Sequence, residues 1–249
     1  MNPFKNLSSD QTRDFYEGLV HGKNERGLWG MESRFDADQI TKKPSVLKHF
    51  LPKMQAHIYN THDCLDLGCG PGGFLALMAP LAKSMIGADI VPSFVKEAQG
   101  VIDKRGITNC KTMLLDGGPL PFADAQFDRV IMIDTIHHLE DAPKTLAEVA
   151  RVLKPNGLFL IFEPNKYNPL LALMCALDKN EHGLLRLGSF YQYRKLLGRD
   201  FEFAEESYSG LLVGPEGKNA VAIGDFLSGP AVKWLGWLCP KLFIAARKK

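Results

Sequence analysis

From residue 63 to about 165, short apolar runs alternate with longer stretches of mixed polarity. The runs DCLDLG (63–68), SMIGADIV (84–91), CKTMLLDG (110–117), FDRVIMID (127–134) and GLFLIFEP (157–164) predict strands. Between them FLALMAPLAK (74–83), PSFVKEAQGVIDKRG (92–106) and KTLAEVARVLKPNG (144–157) have helical spacing. The second of these opens on a proline and the third is stopped by Pro-Asn-Gly. Strands separated by helices of ten or more residues imply βαβ units and a parallel sheet. Right-handed crossovers then make an α/β, doubly wound fold.

Outside that stretch the pattern is looser. NPLLALMCALDK (168–179) and FYQYRKLLGRD (190–200) read as helices, and FEFAEESYSG (201–210) and LFIAARK (242–248) as strands. Two consecutive strands predict an antiparallel hairpin at one sheet edge, with a long connection at 211–241. PSVLKHFLPKMQAHIY (44–59) reads as an amphipathic helix. Residues 1–43 are rich in aromatic and polar groups and weakly patterned.

Composition narrows the class. A chain of 249 residues makes one large domain or two small ones. With 45% hydrophobic and 23% charged residues it is neither disordered nor fibrous. Thirty basic against 28 acidic side chains leave +2, too balanced for a general nucleic-acid binder. The only basic clusters are TKK (41–43) and RKK (247–249), and the second reads as a solvated tail. Five scattered cysteines with no CxxC pair argue against a disulfide framework or a zinc site and fit a cytoplasmic setting. The first residues show no signal-peptide core, and no apolar run is long enough for a transmembrane helix.

The chemistry starts at LDLGCGPGGF (65–74), which follows the first strand and opens a helix. Its glycines permit a tight turn and a close approach of backbone to ligand. Asp66, two residues before Gly68, would repel a pyrophosphate but suits the cationic end of an amino-acid ligand. Asp89, at the end of the second strand, can accept both hydroxyls of a ribose. No GK[ST] follows the glycines, which excludes a Walker-type phosphate loop. Two readings therefore compete: an NAD-binding oxidoreductase and an S-adenosylmethionine (SAM) site.

Taken in order, DLGCGPGG (66–73), GADI (87–90), LLDGGPLPFADAQFDRV (114–130), DTIHHLED (134–141) and EVARVLKPNGLFLIFEPN (148–165) resemble the class I SAM-dependent methyltransferases of the small-molecule, type 11-like group. The resemblance implies a Rossmann-like, mostly parallel sheet of seven strands in the order 3-2-1-4-5-7-6, with helices on both faces. It implies one domain over 1–249: an N-terminal helical cap (1–62), a SAM-binding core (63–165), capping insertions (166–189 and 211–241), and segments completing the sheet (190–210 and 242–248). It also assigns roles. Asp66 orients the SAM amino group, Gly68, Cys69 and Gly70 form the loop under the methionine part, and Asp89 holds the ribose. Ile90 packs on the adenine, Asp116 accepts from its amino group, Gly117 offers it a backbone N–H, and Asp134 lies near the methionyl end. S-adenosylhomocysteine would be the product.

A hydroxyl acceptor needs a base, and an imidazole titrates in the right range. His137 and His138 follow the fourth strand. In the resembling family the second His of such a pair lies beside the methyl group, so His138 is the expected base, with Glu163 at the end of the fifth strand as a backup acid or base. DTIH (134–137) replaces the [DN]PP[YF] common in amide and base-amine methylation. No metal-ligand set is visible, so metal independence is expected. Tyr16, Trp29 and Trp234 are the candidate acceptor contacts, because the extension and the two insertions can reach the carboxyl edge of the sheet, where ligands of this fold bind. Their apolar residues suggest a hydrophobic or aromatic small molecule, methylated on oxygen, with secondary metabolism as one setting. C- or N-methylation of a lipid, quinone or polyketide-like acceptor and a SAM-binding protein without catalysis are the alternatives. The same apolar residues could instead form a dimer interface, leaving monomer or homodimer open. At 226–238 they could also touch a membrane surface.

Overall fold

Along β5, Phe159 and Ile161 face one way and Leu158, Leu160 and Phe162 the other, and all five are buried. The two-residue period of a strand sends alternate side chains to opposite faces, so an unbroken apolar run demands cover on both sides. The computed structural model, which describes residues 7–20, 36–177, 182–212 and 217–249, supplies that cover. Its strands are β1 (Asp63–Leu67), β2 (Ser84–Asp89), β3 (Cys110–Leu114), β4 (Phe127–Ile133), β5 (Leu153–Pro164), β6 (Phe201–Ser209) and β7 (Lys241–Lys248). They form one seven-stranded sheet in the order β3-β2-β1-β4-β5-β7-β6. β1 to β5 pair in parallel, and β7 runs antiparallel to both β5 and β6. The expected topology and the expected hairpin are both present.

The helices are α1 (Ser9–Val20), α2 (Ala37–Ile40), α3 (Leu51–His57), α4 (Gly73–Met78), α5 (Pro92–Lys104), α6 (Ala142–Val152), α7 (Pro169–Leu177), α8 (His182–Leu187), α9 (Phe190–Leu197) and α10 (Lys218–Leu227). α3, α4 and α5 pack on one face, where Phe162 lies between Phe50 (5.2 Å between ring centroids) and Phe243 (4.8 Å). α6 and α9 cover the other, around Phe159 and Tyr193. Truncating a buried Phe of this kind to Ala typically costs about 3–5 kcal/mol.

Three helices end or bend earlier than their periodicity predicts. The helix expected over 144–157 stops at Val152, because Leu153 already pairs with Phe127. Residues 154–157 then bulge out, with Asn156 at φ 62°, before pairing resumes at Leu158. The helix expected over 74–83 ends at Met78, and Pro80 sits in a short 3-10 turn, Ala79–Leu81. The helix expected over 44–59 opens as a widened π-turn, Val46–Phe50, directly before α3. Pro52 has no N–H for the carbonyl four residues back, and the wider turn tolerates that loss.

β5 and β6 both end at the carboxyl edge, and antiparallel β7 begins there. The segments between them therefore gather on that edge: α7 and α8 after β5, α10 after β6, and a 3-10 segment (Pro230–Leu238) before β7. Asn165 ties them together by donating from Nδ2 to the carbonyls of Trp237 (2.8 Å) and Cys239 (2.9 Å).

Candidate active site

The glycine loop turns under three positive φ angles: Gly68 at 81°, Gly70 at 52° and Gly72 at 90°. Two of them are also sterically required. A Cβ on Gly68 would lie 2.5 Å from the Thr135 side chain, and one on Gly72 would lie 2.8 Å from the Ala98 backbone. Gly70, by contrast, would meet nothing within 4 Å, because it faces a cavity. The N–H groups of Gly68 and Cys69 donate to the Ala88 carbonyl (2.8 and 3.1 Å), which fixes the loop against β2. Cys69 is buried, and its thiol donates to the Gly70 carbonyl.

That cavity has a volume of about 660 Å3. Asp66 projects into it from β1. The carboxylate is 1% exposed, and neither oxygen has a hydrogen-bond partner. Burial, and then the charge of Asp89, push its pKa up from 3.8 to about 8. A native buried carboxylate without donors is an incomplete site: a ligand bringing N–H groups or positive charge would satisfy it. Asp89 is also raised by burial, but its oxygens accept from the backbone N–H groups of Gly70 (2.9 Å) and Val91 (3.0 Å). Ile90, Gly117 and Asp134 complete this part of the wall.

The opposite wall follows β4. Residues Ile136–His138 form a single 3-10 turn, and the two imidazoles point to different places. His138 lines the cavity, with Nε2 3.2 Å from the Tyr16 hydroxyl. His137 is buried away from it, with Nδ1 2.5 Å from Glu163 Oε2. The other oxygen of Glu163 accepts from the N–H groups of Thr135 and Ile136, both at 2.8 Å. Glu163 thus grips the turn from behind. Asp134, at φ 53°, is ion-paired with Lys241 on β7.

Sequence expectations and structure differ at three residues. His137 is not in the cavity wall: Glu163 holds it in the interior. Asp116 is exposed and does not line the cavity, and its Oδ1 caps its own turn at the Gly118 N–H (2.8 Å). Its small side chain accepts locally, as Asx residues do in turns. Trp234 is 74% exposed and lies outside the wall. Trp29 falls outside the described residues. Among the described residues, none that lines this cavity comes from 166–189 or 211–241; α1 and Ile40 supply cover.

Sequence reading underrated α1. Ser9, Thr12 and Tyr16 of this helix line the cavity, spaced three and four apart as one helical face. The helix is pinned from both sides. Arg13 donates from Nε to the Ile90 carbonyl (3.0 Å), and Glu17 accepts from the Ser93 N–H (2.7 Å). Glu140 accepts from the Ser9 N–H (2.8 Å). The i, i+4 pair Arg13 and Glu17 was the available signal. Phe74 and Phe94, at the starts of α4 and α5, were also missed as lining residues.

Residues 65–161 match the family model described as a methyltransferase domain. Over 110 residues the chain is 33% identical to the sterol 4-C-methyltransferase strm-1 of Caenorhabditis elegans, a match covering 44% of this chain and 33% of that protein. Over 160 residues it is 30% identical to a demethylmenaquinone methyltransferase of Tropheryma whipplei, covering 58% of this chain and 62% of that one. The matches thus span less than two thirds of the length of these relatives. A SAM-dependent methyltransferase of Aquifex aeolicus shares the fold, with a TM-score of 0.58 at 19% identity over 86% of this chain and 98% of that one.

Proposed function

We propose that this chain, which carries a class I methyltransferase domain, transfers the methyl group of SAM to an apolar small molecule. The observation that carries the reading is Asp66, a buried carboxylate with two unsatisfied oxygens at the end of a glycine loop. SAM suits that carboxylate in charge and in hydrogen bonding, since its methionyl end carries an ammonium group. Asp66 would accept from that ammonium, Asp89 from the ribose hydroxyls, and Gly70 would leave room for the backbone to pass close. When bound, SAM supplies a methyl group made electrophilic by its sulfonium.

The chain's own contribution is to position, to exclude water and to handle a proton. α1 covers the cavity, and Phe74, Phe94, Leu139 and Ile40 give it apolar walls. His138 faces the cavity with an imidazole nitrogen toward the Tyr16 hydroxyl, so it can take a proton from an acceptor and share it with the phenol. Our first reading is therefore O-methylation with His138 as base. The name of one relative, a sterol 4-C-methyltransferase, favours a second reading in which carbon is methylated. We read residues 1–249 as one domain, with α1 as cap and the two insertions on the same sheet edge.

Calorimetric titration with SAM, S-adenosylhomocysteine and NAD tests the class. Binding of the first two without the third is expected. Binding of NAD alone would overturn it. NMR of the product formed from phenolic, sterol and quinol acceptors identifies the methylated atom.

A further inference from the structure

Among the described residues the two insertions stay out of the cavity wall, and although Leu184, Leu187, Leu211 and Cys239 are buried, several of their other apolar side chains face water. On α7, Leu170, Leu173 and Leu177 are 66%, 60% and 68% exposed. Their spacing of three and four places them on one helical stripe. Phe226 on α10 is 61% exposed, and Trp234 and Trp237 on the 3-10 segment are 74% and 43% exposed. Residues three apart eclipse in a 3-10 helix, so the two indoles share one side. All three elements sit on the carboxyl edge. Asn168, at the start of α7, donates to the Leu238 carbonyl, and α10 packs on the 3-10 segment. A stripe of leucines and a pair of tryptophans are thus fixed as neighbours, facing water. Among the described residues, no helix is long and apolar enough to cross a membrane.

We propose that this edge docks the protein on the surface of an anionic lipid bilayer. Charge argues for that occupant. Residues 166–177 and 226–241 contain no Asp or Glu, although acids and bases are nearly equal in the chain as a whole, 28 against 30. The charged residues in those stretches are Lys166, Lys233 and Lys241, and Lys241 is turned inward onto Asp134. A second copy of the chain would bring Lys166 and Lys233 against their own counterparts, with no acid within those stretches to pair them. Lipid phosphates would pair them, while tryptophan and leucine side chains enter the boundary between headgroups and acyl chains. α8, next in sequence to α7, packs on the turn that carries His138. The docked face is therefore adjoined to the acceptor side of the cavity.

The inference stands apart from methyl transfer, and its test needs no turnover. The full chain is floated with vesicles of phosphatidylcholine alone and of phosphatidylcholine mixed with phosphatidylglycerol. Wild type is expected to float with the mixed vesicles. The exposed pair Leu173→Ser and Phe226→Ser should lower that partitioning by about tenfold for each apolar side chain removed, with melting temperature and S-adenosylhomocysteine binding unchanged. Three results would overturn the proposal: no flotation with mixed vesicles, flotation indifferent to phosphatidylglycerol or to the double variant, or a wild-type dimer in sedimentation equilibrium that the double variant dissolves.

Discussion

The Tyr16 hydroxyl lies 3.2 Å from Nε2 of His138, across the cavity and 122 residues away in sequence. The contact joins the covering helix to the turn after β4, so the His138 imidazole and the cover are held as one unit. His138→Ala is expected to lower turnover more than about tenfold, within the range of a general base, with S-adenosylhomocysteine affinity nearly intact. Tyr16→Phe keeps the ring against Phe94 (5.6 Å between centroids) and should lower turnover by only a few-fold. Unchanged turnover in the first variant would remove His138 from the chemistry.

Asp66 should separate binding from stability. Asp66→Asn removes the charge that an ammonium group requires, and S-adenosylhomocysteine affinity should fall by about tenfold to a hundredfold by calorimetry. The unliganded variant should melt no lower than wild type, because it loses a buried carboxylate with no donors.

The same group predicts a pH slope. Its pKa is about 8 in the folded chain against 3.8 in the open one, so between those values the folded state holds a proton that the unfolded state has released. Its contribution makes stability fall as pH rises from about 4 to about 8, by at most about 1.4 kcal/mol per pH unit, and level off above. Ligand affinity should run the other way over that window, since the ammonium favours the ionised carboxylate. Denaturant midpoints across pH, compared with Asp66→Asn, check the first trend, and calorimetry in the same buffers checks the second.

Glu163 holds three donors at once: two backbone N–H groups and the His137 imidazole. Glu163→Ala removes the carboxylate that all three share and should cost about 3 kcal/mol or more in chemical denaturation. Glu163→Gln keeps one carbonyl oxygen for the two N–H groups and should cost clearly less. In both, turnover should fall further than S-adenosylhomocysteine affinity, because the turn carrying His138 loosens.

Gly68→Ala combines a φ of 81° with a Cβ 2.5 Å from Thr135. A cost of about 1–3 kcal/mol is expected for the backbone alone, and Thr135→Ala in the same chain should relieve the clash but not the strain. Thermal melts of the single and double variants separate the two terms.

The sheet was legible because its strands are apolar throughout and their spacing leaves room for helices. That Asp66, Gly70 and Asp89 share one cavity was legible because they lie within a few residues of strand ends, where chain position fixes spatial position. What failed depends on side-chain direction or distant docking. Neighbouring His137 and His138 look equivalent in a string, yet one turn of 3-10 helix sends them to different partners. Asp116 reads as a ligand for adenine, but a short acid before two glycines finds the nearest backbone N–H first. α1 carries little hydrophobic signal, because polar contacts through Arg13, Glu17 and Ser9 hold it down.

β7 sits between β5 and β6, although its residues follow all the others in the sheet. β6 therefore has no strand neighbour until residues 241–248 arrive, and β5 keeps one open side. Assembly of this half of the sheet waits on the last strand made. Loop closure over such distances is slow, and open strand edges are sticky while they wait. Lys241, at the start of that strand, brings the partner of Asp134 with it. The same event that seals the sheet thus finishes one wall of the cavity, and a chain paused before it would hold the glycine loop but not a completed site.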